Sequence, residues 1–204
     1  MAKILAYDTS TDVLSIAVAD GGKILTELKS DSFVRHSEAL VPALEKILKS
    51  CRMRIADIDV IAVGLGPGSF TGLRVGVTVA KLLAYSLKKN LVGVSGFESL
   101  AEGAPITDGT IAMMMDARKS MLYAAVYQKK KKSVRVVLKP RLMRAQDFLE
   151  KAKKADWLIG DTTFPKASQI ASIAFQKSKK RQWADPFRLE PLYIHPRDCN
   201  ATKK

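Results

Sequence analysis

Short apolar runs separated by turn residues open the chain and predict three strands. The runs cover Lys3 to Asp8, Leu14 to Val18 and Ile24 to Leu28. The connections are rich in Asp, Ser, Thr and Gly, which favour tight turns. We therefore expect a three-strand meander at the N-terminus.

A helical pattern follows between Arg35 and Lys49, where apolar residues recur every three or four positions. Pro42 falls inside this pattern and predicts a kink, or a helix start close before it. The next elements predicted in the first half are a strand at Val60 to Val63, a helix at Thr71 to Leu87, a strand at Leu91 to Val94 and a short helix at Phe97 to Gly103.

The second half begins in the same way. Strands are predicted at Ile111 to Asp116, Met121 to Tyr127 and Val134 to Leu138, then a helix at Gln146 to Lys153, a strand at Trp157 to Gly160, a helix at Lys166 to Gln176 and an irregular tail. Alignment of Asp8 with Asp116 also superposes Leu14 on Leu122, Ala17 on Ala125 and Val18 on Val126. This pattern indicates an internal duplication.

The predicted fold class is α/β, with a mixed sheet in each of two tandem domains. Pro105, Asp108 and Gly109 interrupt the pattern and place a boundary near 104 to 109, giving domains 1–104 and 105–204, the second shortened. A duplicated unit of this form resembles the actin-like and sugar-kinase (ribonuclease H-like) superfamily. In that superfamily, two strand–Asp turns face each other across a nucleotide cleft.

The run GPGSFTGLRVG at positions 66 to 76 joins an apolar strand to a helix. Its glycines and proline predict a tight turn, with Ser69 or Thr71 capping the helix. A Gly-rich turn before a helix is a common place to hold an anion or a close partner. The spacing fits neither a P-loop nor a dinucleotide fingerprint, and Ser69 lacks the spacing of a nucleophile elbow.

Small residues recur every fourth position in the following helix, at Gly72, Gly76, Ala80 and Ala84. They line one face, on which another backbone can approach closely. This face predicts either internal packing or a subunit interface.

The net charge of +14 indicates either a polyanionic partner or no more than a basic proteome or simple solubility. Lysines at 129 to 132 are expected at a solvated hairpin tip, and 177 to 181 form a second basic cluster. No apolar run approaches a membrane span, and the N-terminus does not have the pattern of a signal peptide. Two cysteines, Cys51 and Cys199, favour a reduced, cytoplasmic protein.

Candidate chemistry is sparse. Asp8, Thr9 and Ser10 lie where the superfamily places its first phosphate loop, and the alternative is an Asx-turn that closes a hairpin. Asp116 is either a second cleft carboxylate or a structural partner of Arg118. His36 and His195 are the only histidines and have no ligand spacing, so we expect no metal site and no catalytic residue.

Five ordered motifs resemble the bacterial TsaB family of tRNA threonylcarbamoyladenosine biosynthesis proteins, within the glycoprotease-like group. They are ILAYDTST at 4–11, RHSEALVP at 35–42, the glycine-rich run at 66–76, DAR at 116–118 followed by Tyr123, and EPLYI at 190–194. Together they extend over nearly the whole chain. The sequence ending at 194–200 and the basic surface depart from the family pattern.

This resemblance implies a non-catalytic subunit that pairs with a catalytic paralogue, TsaD, in forming threonylcarbamoyladenosine beside the anticodon of tRNAs that read ANN codons. It also implies a third subunit, the ATPase TsaE, contact with tRNA indirectly or through the basic surface, and a homodimer when TsaD is absent. ATP or ADP is expected only in the assembled complex, and no membrane is implied. The alternatives are a stand-alone actin-like nucleotide-binding enzyme and a glycoprotease-like metallopeptidase.

The implied heterodimer is built from helices of the first domain. On this chain the expected interface residues are His36, Leu40, Leu44, Gly72, Leu73, Gly76, Ala80, Leu83 and Ala84.

Overall fold

The structure is a computed structural model that describes residues 2–30, 35–117, 119–131, 133–160 and 163–194. The elements in chain order are β1 (Lys3–Asp8), β2 (Ser15–Asp20), β3 (Lys23–Lys29), α1 (His36–Ser50), β4 (Val60–Gly64), α2 (Phe70–Ser86), β5 (Asn90–Val94), α3 (Gly96–Glu102), β6 (Asp108–Asp116), β7 (Met121–Lys130), β8 (Ser133–Arg144), α4 (Ala145–Ala152), β9 (Trp157–Ile159) and α5 (Ala167–Lys179). The fold class is α/β with two mixed sheets, as predicted.

The chain divides into two compact units. The first comprises the residues up to Gly103 together with Phe164–Pro191, and the second comprises Ala104–Thr163 and the segment that begins at Leu192. The division falls at 103/104, whereas the sequence predicts domains 1–104 and 105–204 and thus assigns Phe164–Pro191 to the second domain. The physical reason for the difference is α5, which packs on the first sheet.

The first sheet has the order β3-β2-β1-β4-β5, with β1, β2 and β3 antiparallel and β1, β4 and β5 parallel. Both faces are covered, so the central strands are apolar throughout. Leu5 and Ile61 join a core with residues of α1 and α2. Ile4 and Ala62 point the other way and pack with residues of α5, including Ile170.

Two local features of the first unit differ from simple expectation. Helix α1 runs through Pro42, which stands inside it, so the helix starts well before the proline. Ala184 N donates to Leu91 O over 2.8 Å, so part of the tail is ordered along the edge of β5.

The second sheet has the order β8-β7-β6-β9. Its core includes Ala112, Ala124 and Val126 from the strands and the fully buried Phe148 from α4. Strand β8 is 12 residues long, more than twice the predicted length, and lies at the edge of the sheet. Within the described ranges, none of the helices combines the length and the apolar character that a membrane span requires.

The two sheets repeat one topology, because a three-strand meander in each unit is followed by a strand parallel to its first strand. Asp8 pairs with Ser15, whereas Asp116 pairs with Leu122. Six residues lie between the first pair and five between the second. Residues of β2 and β7 that align in sequence therefore differ by one position in how they pair with β1 and β6. The duplicated topology itself is present.

Candidate functional site

The glycine-rich run lies at the carboxyl end of the first sheet. β1 and β4 are parallel, so Asp8 at the end of β1 and Gly64 at the end of β4 reach the same edge. The run at 66–76 follows β4 directly and becomes α2. The fold therefore brings together the turn at Asp8 to Ser10 and the glycine-rich run, the two motifs that the sequence offers as candidate binding loops.

The turn at Gly66 has a backbone that only glycine adopts readily. Gly66 has φ +84° and is followed by a cis peptide bond to Pro67. A methyl group added at Gly66 would lie 2.8 Å from a Leu73 methyl carbon. Ser69 then begins α2 as predicted, since its Oγ accepts from Gly72 N over 3.2 Å.

The run closes onto the turn after β1. Ser69 N donates to Ser10 O over 2.6 Å, and Thr9 Oγ1 donates to Gly72 O over 2.8 Å. A methyl group added at Gly68 would overlap Ser10 O. Thr9 and Ser10 are both buried, so the chain's own groups fill the space between the two loops.

Asp8 is buried at the centre of this contact. Its Oδ1 accepts from Ser10 N over 2.8 Å and from Ser10 Oγ over 2.6 Å. Among the described residues its Oδ2 has no hydrogen-bond partner, and a methyl group added at Gly64 would overlap it. Burial raises the pKa of the Asp8 carboxyl, and the Ser10 hydrogen bonds and His36 oppose that rise.

His36 belongs to the same buried cluster. Its Nε2 lies 2.6 Å from Thr11 O, and because a carbonyl oxygen only accepts, Nε2 is the donor. His36 is 9 % exposed, and its Nδ1 has no partner in the described part of the chain. His36 therefore serves as a packing residue that ties α1 to the turn after β1.

The small-residue face of α2 packs internally, which is one of the two alternatives that the sequence left open for it. Gly76 is packed against Thr9, whose Oγ1 would overlap an added methyl group. Of the nine expected interface residues, Leu83 is half-buried and eight are buried: His36, Leu40, Leu44, Gly72, Leu73, Gly76, Ala80 and Ala84. In this structure these side chains therefore pack inside the first unit.

The opposite face of α2 is exposed and partly apolar. Phe70, Arg74, Thr78, Leu82 and Tyr85 lie on this side, and we call these five residues the exposed α2 face. Phe70, Leu82 and Tyr85 are 55 %, 59 % and 61 % exposed. The first four recur every fourth position, which places them on one side of the helix. The sequence prediction named the small residues of α2 but not this spacing.

An aromatic side chain from the ordered tail extends the exposed α2 face. The Phe187 ring contacts Tyr85 edge-on, with centroids 5.1 Å apart, and is itself 73 % exposed. Lys81 Nζ donates to Leu189 O over 3.2 Å and holds this segment beside α2.

The other candidate residues do not form a site. Asp116 ends β6 and is exposed, while Arg118 and His195 lie outside the described residues. Within the described ranges, no three His, Cys, Asp or Glu residues are grouped so that they could hold a metal ion. Lys129 differs from the expected solvated tip, because it is 7 % exposed and its Nζ donates to Ala104 O over 2.8 Å.

Comparisons with known proteins agree with the motif pattern. A family model described as "TsaD: tRNA N6-adenosine threonylcarbamoyltransferase" matches residues 30–184. The tRNA threonylcarbamoyladenosine biosynthesis protein TsaB of Bacillus subtilis (strain 168) is 37 % identical over 153 residues, which are 75 % of this chain and 67 % of that protein. TsaB of Escherichia coli (strain K12) is 27 % identical over 218 residues, with 94 % of each chain covered.

A solved structure shares the fold. YeaZ from Pseudomonas aeruginosa superposes with a TM-score of 0.82 at 23 % identity, covering 95 % of this chain and 100 % of that chain. The family model covers most of the chain, and the Bacillus relative exceeds 30 % identity over two thirds of its own length. The chain therefore belongs to the TsaB proteins, within the wider family that the TsaD model describes.

Proposed function

We propose that this chain takes part in tRNA threonylcarbamoyladenosine biosynthesis as a non-catalytic subunit that pairs with the catalytic paralogue TsaD in the cytoplasm. The observation that carries the proposal is the exposed α2 face. A helix whose buried side is already filled has no internal use for three exposed apolar residues on its outer side. Contiguous exposed apolar surface is typical of a protein–protein interface.

The geometry at Asp8 supports the non-catalytic part of this proposal. A carboxylate that orients a metal-bound water must reach solvent or substrate, yet Asp8 is 1 % exposed. The amides of Ser10 and Ser69, which could have cradled a phosphate, donate to groups of the chain itself. The turn therefore acts as an Asx-turn that positions α2, and we propose that ATP or ADP binds only in the assembled complex.

The proposed interface is the exposed α2 face, extended by Phe187. Aromatic residues and arginine are enriched among the residues that dominate binding energy, and this surface offers Phe70, Tyr85 and Arg74. The guanidinium of Arg74 lies 3.8 Å from the centroid of the Phe70 ring, so the two side chains form one compact unit. TsaE as a third subunit, and a homodimer through the same surface when TsaD is absent, stay predictions.

The test is light scattering coupled to size-exclusion chromatography, with this chain and TsaD from the same organism. We compare Leu82→Glu with Leu149→Glu, because the two leucines are helical and 59 % and 57 % exposed. The unmodified chain should form a one-to-one complex. Leu82→Glu should weaken it at least tenfold, about 1.4 kcal/mol, while Leu149→Glu leaves it unchanged.

Each failure has a distinct meaning. If Leu82→Glu pairs as well as Leu149→Glu, the interface assignment is wrong, but the subunit role stands. If the unmodified chain ignores TsaD, the subunit role fails. Phosphate release from ATP by the chain alone, lost in Asp8→Asn, would instead favour the stand-alone nucleotide enzyme.

A further inference from the structure

The second unit contains a segment in which every charged residue is positive. Between Ala117 and Gln146 the sequence contains ten lysine and arginine residues and no aspartate or glutamate. Strands β7 and β8 lie within this segment. The excess of +14 over the whole chain is therefore concentrated here, far more than an even distribution would produce.

Strand β8 arranges part of this charge in a line. Arg135, Lys139, Arg141 and Arg144 are all exposed on it. A strand rises about 3.3 Å per residue, so these four cations extend over roughly 30 Å. In the described part of the chain none of the four forms an ion pair.

The position of β8 adds a second set of donors. It is the first strand in the order β8-β7-β6-β9, so its outer edge has no neighbouring strand in the sheet. Outward main-chain N–H groups on such an edge are free to donate. Phosphate oxygens accept from both arginine side chains and main-chain N–H groups. The edge therefore presents the donors that a phosphate backbone needs.

Charged residues also protect sheet edges from aggregation, and Lys139 and Pro140 would serve that purpose. Protection needs only one or two such residues, whereas β7 and β8 together contain six lysine and arginine residues and no aspartate or glutamate. Arginine also outnumbers lysine three to one among the four exposed cations of β8, and its planar fork matches phosphate geometry. These features favour recognition of a phosphate chain over simple edge protection.

We propose that the outer edge of β8 binds the phosphate backbone of an RNA helix. The choice of tRNA as this RNA rests on the proposed function. Neutralising phosphates releases counterions, so binding through this surface must weaken steeply with salt. The contact positions the RNA without reading its bases, because the edge lacks exposed aromatic side chains among its described residues.

The test measures fluorescence anisotropy of a labelled, unmodified tRNA transcript with an ANN-reading anticodon, titrated with the full chain from 50 to 300 mM salt. The variant is Arg135→Gln/Lys139→Gln/Arg141→Gln. The matched control is Lys23→Gln/Lys46→Gln/Lys180→Gln, which removes the same charge from exposed positions of the first unit. Equal net charge in the two variants separates a local contact from general attraction.

The strand variant should flatten the slope of log affinity against log salt by about three, roughly one for each removed cation. At 100 mM salt it should bind the transcript at least tenfold more weakly than the control. Equal slopes for the two triple variants overturn the proposal. The proposal is also overturned if the strand variant still binds tRNA but no longer binds vesicles of anionic phospholipid, because the edge would then be a membrane contact.

The same proteins separate this inference from the proposed function. If the strand variant still forms the complex with TsaD and loses only tRNA affinity, both proposals stand. If complex formation fails for every protein while tRNA binding depends on β8, the subunit role fails and the RNA-binding edge remains. Loss of TsaD binding in the strand variant, with tRNA affinity unchanged, makes β8 a protein contact and overturns the inference.

Discussion

A glycine-to-alanine substitution at position 76 tests the central contact of the first unit. In an exposed helix interior this change normally stabilises by about 1 kcal/mol. At Gly76 the added methyl group would overlap Thr9 Oγ1, while Thr9 Cβ and Cγ2 lie at ordinary distances of 3.4 and 3.5 Å. The sign of the effect therefore depends on one hydroxyl group.

The magnitude follows from what Thr9 must give up. Its hydroxyl would have to move, which breaks the 2.8 Å hydrogen bond to Gly72 O in a site where Thr9 is 0 % exposed. Leaving the buried Thr9 hydroxyl unpaired costs roughly 1–3 kcal/mol, and local overpacking typically costs ~1–3 kcal/mol more. After the helix gain of about 1 kcal/mol is subtracted from these two costs, we expect Gly76→Ala to lower the free energy of unfolding by about 1–5 kcal/mol.

In a Thr9→Ala background the clash disappears. Gly76→Ala should then be neutral or stabilising by up to about 1 kcal/mol, because only the helix propensity remains. The coupling energy of the double-mutant cycle should be at least about 2 kcal/mol, the sum of the smallest values of the two costs that Thr9→Ala removes. Gly72→Ala supplies the contrast, since its methyl group would overlap the main-chain oxygen of Thr9, and no side-chain change at Thr9 can relieve that.

The assay is urea unfolding followed by the fluorescence of Trp183 in a Trp157→Phe background, which reports on the first unit alone. Additivity of Gly76→Ala and Thr9→Ala within about 0.5 kcal/mol would refute the reasoning. The reasoning would also be refuted if Thr9→Ala restored the stability that Gly72→Ala removes, because that clash involves the main-chain oxygen of Thr9.

Three further predictions concern single groups. Burial raises the pKa of the Asp8 carboxyl, so this group binds its proton more tightly in the folded state than in the unfolded state. Its contribution to stability is complete below the unfolded pKa and is lost as pH rises through the folded pKa. In urea unfolding, the stability of Asp8→Asn relative to the unmodified chain should therefore increase as pH rises above about 4. A difference in free energy of unfolding that does not change with pH would contradict this prediction. Lys129→Met should destabilise the second unit by about 1–3 kcal/mol, because it removes the hydrogen bond to the Ala104 carbonyl oxygen. The exposed Lys130→Met should stay within about 0.5 kcal/mol. Both are measured by urea unfolding followed by Trp157 fluorescence in a Trp183→Phe background. Ser69→Ala should cost ~1 kcal/mol through loss of the α2 cap in the Trp183 assay, and Ser69→Thr should retain most of it.

Much of the fold could be predicted because local patterns decide it. Apolar runs and turn residues predicted the position of each strand described here. Ser69 was one of the two predicted helix caps, because a side-chain cap joins residues only three positions apart in the sequence. The length of β8 was missed, since charged residues and Pro140 interrupt its apolar pattern on an edge where they are tolerated. The assignment of α5 was missed because sequence order says nothing about which sheet a helix covers.

The candidate site shows the same limit more sharply. The sequence by itself determined that positions 66–76 form a special turn, and that one side of α2 consists of small residues, because composition and spacing are local properties. It left open whether that side meets another chain or its own. Only the tertiary structure decided this, by placing Thr9 against Gly72 and Gly76. A contact between residues more than sixty positions apart depends on how parallel strands bring their ends to one edge, and no local pattern encodes that arrangement.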